Sequence, residues 1–220
     1  YVSSVLESRG RAAGKTDSGM QITCKRWKKG VREYSSVIIS RKKDGPARLE
    51  DLKGKIVGFE DPWSTSGYFL PRAALHEAGL SVQRLESARD PVPADKVGYL
   101  FFEGAEKSIP FMAAGRASAV GVEQSIWDQL GEAGQAEYQL LYRSAPVPRH
   151  LLSFRKGLDP ALVEAVTQAL VAAENSDDGK GFLKEFEATT RFEAVGAEEE
   201  SKLRTLAFSI LKKTELLSDR

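Results

Sequence analysis

The stretch that decides the fold covers residues 56–68 and reads IVGFEDPWSTSGY. Residues 56–60 have the β-branched and aromatic composition of a short strand. Asp61 and Pro62 end that strand, and the hydroxyl residues after them are typical of a helix N-terminus. Residues 68–79 follow with helical spacing and end at Gly79, a helix-terminating residue. A strand that passes through a polar turn into a helix is the repeating unit of α/β proteins.

The same alternation continues on both sides of this stretch. Strands are predicted at 34–40, 82–85, 117–122, 138–142 and 151–154, and helices at 106–115, 125–130, 160–173 and 198–217. Asp159 and Pro160 suit the N-cap and first position of the helix that they open. Residues 15–33 are predicted to be polar and irregular. We therefore predict an α/β fold without internal repeats or a long linker.

The composition excludes several classes of protein. The 220 residues carry a formal net charge of +1, which disfavours a nucleic-acid-binding protein. No apolar run approaches the ~18 residues of a transmembrane helix, so we expect no insertion into the membrane. The basic run 25–29 is interpreted as a solvated turn or a strand edge.

Catalytic and metal-binding motifs are sparse. Residues 10–16 resemble a phosphate-binding loop, but three residues instead of four separate the glycines. His76, His150 and the single cysteine Cys24 form no zinc-ligand pattern, and no nucleophile elbow is present. One cysteine also allows no intrachain disulfide. We expect no enzyme activity, no metal and no cofactor.

Residues 61–68 are the most informative for function. The first N–H groups of a helix lack intrahelical partners, and the helix dipole adds partial positive charge there. Three consecutive hydroxyl residues, Ser64, Thr65 and Ser66, extend this donor set and suit a tetrahedral oxyanion. The alternative is a plain N-cap, which needs only one hydroxyl. Gly67 is interpreted as leaving space for a ligand, and Pro71 predicts an irregular first turn.

Three blocks of sequence resemble the periplasmic phosphonate/phosphate/phosphite-binding proteins of ABC transporters. They are YSSVIISR at 34–41, LEDLKGKIVGFEDPWSTSGYFLP at 49–71 and AALHEAGL at 73–80. The later landmarks SAPVP at 144–148 and LDPAL at 158–162 are also similar to that family. The resemblance extends from about residue 34 to about residue 192.

The resemblance implies a type II periplasmic binding protein fold, with two α/β lobes joined by two crossing strands and the ligand between them. The outer lobe is expected to consist of 1–36 and 142–220, and the middle lobe of 37–141. We expect the chain to lack the N-terminal part of its first lobe.

The resemblance also implies a set of ligand-binding residues. Ser64, Thr65 and Ser66 match the positions that hold phosphoryl-type oxygens, and Tyr34 matches a tyrosine that reaches the ligand. Tyr1 is matched with a second tyrosine. His150 stands where relatives that bind aminoalkylphosphonates have an acid, and Ala105 stands where the family often has a histidine. Because His150 and its neighbour Arg149 suit an anion better than an ammonium group, we expect phosphate, phosphite or an alkylphosphonate as ligand.

The expected function is delivery of this oxyanion to an ABC transporter permease. The protein is expected to be a monomer that is periplasmic or lipid-anchored on the outer face of the cytoplasmic membrane. The alternative is a periplasmic sensor domain of the same fold, for phosphate or arsenite, that signals to a histidine kinase. Arsenite would require a reactive Cys24 thiolate, and the competing interpretation of Cys24 is a buried structural thiol.

Overall fold

A computed structural model describes residues 19–214, so the predicted site residue Tyr1 lies outside the described part of the chain. The strands are β1 Met20–Lys28, β2 Glu33–Tyr34, β3 Ser36–Arg41, β4 Ile56–Phe59, β5 Ser81–Arg84, β6 Lys96–Phe101, β7 Ala119–Glu123, β8 Tyr138–Arg143, β9 Val147–Pro148, β10 Leu151–Arg155 and β11 Thr189–Ala194. The α-helices are α1 Leu70–Glu77, α2 Ser108–Ala113, α3 Gln124–Gln129, α4 Gly131–Glu137, α5 Pro160–Ala172, α6 Asp177–Glu185 and α7 Ala197–Lys213. Short 3-10 turns cover Leu49–Leu52, Ala105–Lys107 and Ala173–Asn175, and a π-helical turn covers Thr65–Phe69.

The chain divides into two compact units. Among the described residues, unit 1 comprises 19–34 and 147–209, and unit 2 comprises 35–146 and 210–214. The predicted lobe bounds stay a prediction, and the described packing differs from them at residues 35–36, 142–146 and 210–214, which the prediction placed in the outer lobe and the packing places in unit 2. Residues 213 and 214 illustrate the last of these differences. Those residues pack within unit 2, where Arg72 donates to the carbonyl oxygen of Thr214 and Lys213 pairs with Glu77.

Unit 2 contains a six-stranded sheet in the order β5-β6-β4-β7-β3-β8. The neighbouring strands β5, β6, β4 and β7 run parallel, whereas β3 is antiparallel to β7 and β8. The carboxyl ends of β4, β6 and β7 therefore meet the amino end of β3 at one edge. Val37, Ile39, Val120 and Met112 are fully buried in the core beside this sheet.

Unit 1 contains a three-stranded antiparallel sheet in the order β10-β1-β11, with a separate two-stranded pair of β2 and β9. Cys24 on β1, Leu183 on α6 and Phe192 on β11 form its small core, against which Leu170 of α5 packs. The predicted helix at 160–173 is confirmed, and Asp159 caps it by accepting a hydrogen bond from the N–H of Ala161 at 2.9 Å.

The prediction for residues 15–33 was wrong, because β1 occupies Met20–Lys28 at the centre of the unit 1 sheet. The basic run is accordingly not a solvated turn: Lys25 and Arg26 are only 6% and 5% exposed. The ammonium of Lys25 pairs with Glu193 and Glu199, and the guanidinium of Arg26 pairs with Glu187. A buried charge is tolerated where it meets such partners. Strands β6 and β11 were also not predicted.

Candidate oxyanion-binding site

The candidate site lies at the carboxyl edge of the unit 2 sheet. The N–H of Phe102 donates to the carbonyl of Phe59 at 3.0 Å, and the N–H of Glu103 donates to the carbonyl of Glu60 at 2.8 Å. These bonds hold the segments that leave β4 and β6 side by side. In open α/β sheets, ligands bind outside the carboxyl ends of the strands, so this edge is where the fold favours a binding site.

The segment after β4 turns into helix α1 through a π-helical turn. Ser64 is its N-cap, and the hydroxyl oxygen of Ser64 accepts a hydrogen bond from the N–H of Gly67 at 2.9 Å. The N–H groups of Tyr68 and Phe69 both donate to the carbonyl of Ser64, each at 3.1 Å. The bond from residue 69 to residue 64 spans five residues, which makes this first turn wider than an α-helical turn.

Pro71 accounts for the wide turn. Proline has no N–H, so carbonyls one turn earlier lose a donor within the helix. The two carbonyls concerned find donors elsewhere: the hydroxyl of Ser36 donates to Ser66 at 2.6 Å, and the N–H of Glu60 donates to Gly67 at 3.0 Å. The predicted irregularity of the first turn is thereby confirmed, and its two carbonyl groups accept from donors on β3 and at the end of β4.

The turn leaves a compact group of donors unused. Within residues 19–214, the N–H groups and the hydroxyl groups of Thr65 and Ser66 have no hydrogen-bond acceptor, whereas the Ser64 hydroxyl donates to Glu60 at 2.8 Å. Ser66 is only 5% exposed. Thr65 is half-buried, so the four adjacent donors lie at the margin of the fold, where they can bind a ligand rich in acceptors. The predicted residues Ser64, Thr65 and Ser66 therefore divide into one capping residue and two with free donors.

Gly67 has a different role from the predicted one. A Cβ at this position would lie 2.4 Å from Cβ of Glu60, 2.5 Å from its Oε2 and 2.9 Å from the hydroxyl of Ser64. The space beside Gly67 is thus filled by Glu60, and a ligand is not the reason for the glycine. The close approach of Glu60 to the turn requires it.

Sequence reasoning missed a group of carboxylates at this edge. Burial, above all, raises the pKa of Glu60; the hydrogen bond from Ser64 opposes the shift, and the negative charges of Asp61, Glu123 and Glu106 add to it. Glu123 ends β7 and Glu106 follows β6, so the fold brings both toward the segment after β4. The signal available in the sequence was that each acid lies at the boundary of a predicted strand or helix. The family resemblance pointed to an acid only at the position of His150.

Tyr34 and His150 belong to unit 1. Tyr34 pairs with Val147 between β2 and β9, and the guanidinium carbon of Arg149 lies 5.1 Å from the centre of the Tyr34 ring. Partial burial of the ring, followed by the charges of Arg26 and Lys28, lowers the pKa of His150, while Glu187 opposes the shift. The lowered pKa favours the neutral imidazole, and the neighbouring cations Arg26 and Lys28 both pair with Glu187. The ligand-binding roles of Tyr34 and His150 stay predictions, as does that of Tyr1.

Cys24 is a buried thiol of the unit 1 core. It is fully buried, and this burial raises its pKa. The thiolate is the form that binds soft ligands, and this environment disfavours it. No group of three or more histidine, cysteine or carboxylate residues within residues 19–214 could hold a metal ion. None of the helices described here is long and apolar enough to cross a bilayer.

Solved structures of other proteins identify the fold. XAC2383 from Xanthomonas citri, solved bound to ATP, matches with a TM-score of 0.84 at 22% identity, over 97% of this chain and 77% of the other. PhnD1 from Prochlorococcus marinus, solved with methylphosphonate, matches with a TM-score of 0.61 at 16% identity, over 96% and 75%. A binding protein component of an ABC phosphonate transporter from Pseudomonas aeruginosa matches with a TM-score of 0.58 at 17% identity, over 100% and 85%. The fold is that of type II periplasmic binding proteins, as predicted.

The sequence also gives the family. Residues 10–199 match the model of the phosphonate periplasmic substrate-binding proteins of ABC transporters. The chain belongs to this family, which consists of substrate-binding proteins of transporters and not of enzymes. The resemblance described from the sequence is thereby confirmed.

Proposed function

We propose that the chain binds a small phosphorus oxyanion, namely phosphate, phosphite or an alkylphosphonate, and delivers it to the permease of an ABC transporter. The observation that carries the proposal is the group of four adjacent donors on Thr65 and Ser66, two of them at the positive end of a helix dipole. Family membership supports the transport role, and it supports a location in the periplasm or on the outer face of the cytoplasmic membrane.

The chemistry of the donor set suits a tetrahedral anion. Each bond from an N–H or hydroxyl to an anionic oxygen is charge-assisted and stabilises the complex by about 1.5–3 kcal/mol. Three or four such bonds, reduced by the cost of immobilising the ligand, are sufficient for a dissociation constant in the micromolar range, about −8 kcal/mol. Arginine or lysine is not needed within the turn itself.

The arsenite sensor considered from the sequence receives no support from Cys24, which is fully buried between β10 and β11. A phosphate sensor of the same fold would use the same turn as a transport protein. The two roles are separated by adding the ligand-loaded protein to the reconstituted cognate permease. Stimulated ATP hydrolysis supports transport, and unchanged hydrolysis contradicts it.

Calorimetric titration tests the ligand assignment. The ligand-free protein is titrated with phosphate, phosphite, methylphosphonate, 2-aminoethylphosphonate, sulfate and arsenite. Saturable binding of a phosphorus oxyanion is expected, with no binding of arsenite. Failure of all the phosphorus oxyanions to bind would contradict the proposal.

A pair of cap variants localises the site. Ser64→Ala removes the N-cap that accepts from Gly67, and it is expected to weaken oxyanion binding at least ~10-fold because the turn loses its fixed geometry. Ser176→Ala is the matched control, since the hydroxyl of Ser176 caps α6 by accepting from Gly179 at 3.1 Å. The control is expected to lose a similar amount of helix stability without a change in affinity. Equal affinity of both variants would contradict the site.

A further inference from the structure

Two serines lie beside the places where the chain passes between its units. The chain enters unit 2 after Tyr34 and returns to unit 1 after Pro146. Ser36 begins β3 and Ser144 directly follows β8, so each is close to one passage. Ser36 is fully buried and Ser144 is 7% exposed. Hinge motions occur at such segments, because a few residues at the ends of elements absorb the change in backbone dihedral angles.

The two serines form the last step of the ladder between β3 and β8. The N–H of Ser144 donates to the carbonyl of Ser36 at 2.9 Å, as in a regular antiparallel pair. The N–H of Ser36 donates in return to the hydroxyl oxygen of Ser144, also at 2.9 Å. The same hydroxyl donates to the carbonyl of Ala145 at 2.8 Å. A side chain thus provides an acceptor of the ladder at the point where the main chain leaves β8.

Ser36 is also bonded to the turn that holds the free donors. Its hydroxyl donates to the carbonyl of Ser66 at 2.6 Å, and both residues are buried. The N–H of Gly67 belongs to the same peptide group as that carbonyl, and it donates to the N-cap residue Ser64 at 2.9 Å. This peptide group is therefore held on one side by the start of β3 and on the other by the cap. Continuous hydrogen bonds connect it to the segment that leaves β8.

Resting on the proposed function, we propose that Ser36 and Ser144 are positioning residues through which binding of the oxyanion biases the hinge. An anion that accepts from the N–H and hydroxyl of Ser66 fixes this residue, and with it the carbonyl to which Ser36 donates. The ligand stabilises a hinge conformation that keeps the bonds of Ser36 to Ser66 and to Ser144, relative to one that breaks either bond. Because such coupling is reciprocal, the loss of a bond at the hinge also weakens oxyanion binding.

The first test needs no variant. The amide spectrum of the isotope-labelled whole chain is followed during titration with methylphosphonate. The N–H resonances of Ser36 and Ser144 are expected to shift with the same midpoint as that of Ser66, although Ser36 is fully buried and has no surface for the ligand. Saturable shifts of Thr65 and Ser66 that leave both hinge resonances unchanged would overturn the inference and leave the proposed function intact.

The second test measures the hinge by energy transfer between two dyes. The dyes are attached at Glu132→Cys in unit 2 and Lys180→Cys in unit 1, both exposed positions, while the native Cys24 is fully buried. Methylphosphonate is expected to change the transfer efficiency. Adding Ser144→Ala is expected to reduce this change at saturation at least ~2-fold and to weaken methylphosphonate binding ~5-fold or more. Ser144→Thr keeps the hydroxyl and is expected to restore both quantities.

Ser40→Ala is the matched control on the same strand. Ser40 is fully buried like Ser36, and its hydroxyl donates to the carbonyl of Pro46 at 2.7 Å, so this variant loses a comparable bond away from the turn. It is expected to keep the original affinity and the original change in transfer efficiency. Equal behaviour of Ser144→Ala and Ser40→Ala would overturn the inference but not the proposed function. Absence of methylphosphonate binding to the unsubstituted chain would overturn both.

Discussion

Gly67→Ala tests the close packing between the turn and the end of β4. The added methyl group would lie 2.4 Å from Cβ of Glu60 and 2.9 Å from the hydroxyl of Ser64. The carboxylate can rotate away, but the Cβ of Glu60 cannot, because the N–H of Glu60 is bonded to the carbonyl of residue 67 at 3.0 Å. The turn and the strand end must therefore move apart.

The magnitude follows from three contributions. Overpacking in a tight site costs about 1–3 kcal/mol. Loss of the Ser64–Glu60 hydrogen bond costs about 1 kcal/mol. The replacement of glycine by alanine within a helix returns about 0.5–1 kcal/mol. The net expectation is a loss of about 1–3 kcal/mol, together with weaker oxyanion binding.

The assay is urea unfolding followed by circular dichroism, with the midpoint as the observable. Gly181→Ala in α6 is the control, because a Cβ there meets no atom within 4 Å and the change is expected to be stabilising. An unchanged or higher midpoint for Gly67→Ala would refute the packing argument.

Three further predictions concern the surroundings of the turn. Ser36→Ala leaves the buried carbonyl of Ser66 without its donor at 2.6 Å, which is expected to cost about 1–2 kcal/mol and to weaken oxyanion binding, as measured by urea unfolding and calorimetry. Arg72 is only 7% exposed, and its guanidinium group donates to the Tyr68 hydroxyl at 2.7 Å and to the Thr214 carbonyl at 2.8 Å. Arg72→Met removes both bonds and is expected to lower the free energy of unfolding by about 2–3 kcal/mol, as measured by urea unfolding. The pKa of Glu60 is raised in the native state, so the native state binds more protons than the unfolded state at intermediate pH. The contribution of Glu60 to the free energy of unfolding therefore falls as the pH rises from the pKa of Glu60 in the unfolded state to its pKa in the native state. Glu60→Gln is therefore expected to unfold at a higher urea concentration than the wild type at pH 7–8. If the difference in unfolding midpoint between the two proteins is the same near pH 4, the expected pH dependence is contradicted.

The strand, turn and helix at 56–77 could be predicted because their signals are local. The apolar run ends at acidic residue 60, the hydroxyl residues mark the cap, and Pro71 requires an irregular first turn. The helix that begins at Pro160 was predicted for the same reason, since Asp159 supplies the cap four residues before the first buried position, Val163. Short-range chemistry was sufficient in both cases.

The strand β1 could not be predicted, because what makes it a central strand is distant in sequence. Lys25 and Arg26 appear solvated until Glu193 and Glu187 are placed beside them, more than 150 residues later. Strand β6 differs from β1, because its largely apolar residues 97–101 have the ordinary composition of a strand and could have been predicted. Position 60 was read as the end of a strand, and only the fold shows that its carboxylate enters the turn.

The measurement that tests the central claim most directly is the amide spectrum of isotope-labelled protein during titration with methylphosphonate. The N–H resonances of Thr65 and Ser66 are expected to show the largest downfield shifts, since both amides acquire an anionic acceptor that no described residue provides. Saturable binding that leaves these two resonances unchanged would contradict the proposed site.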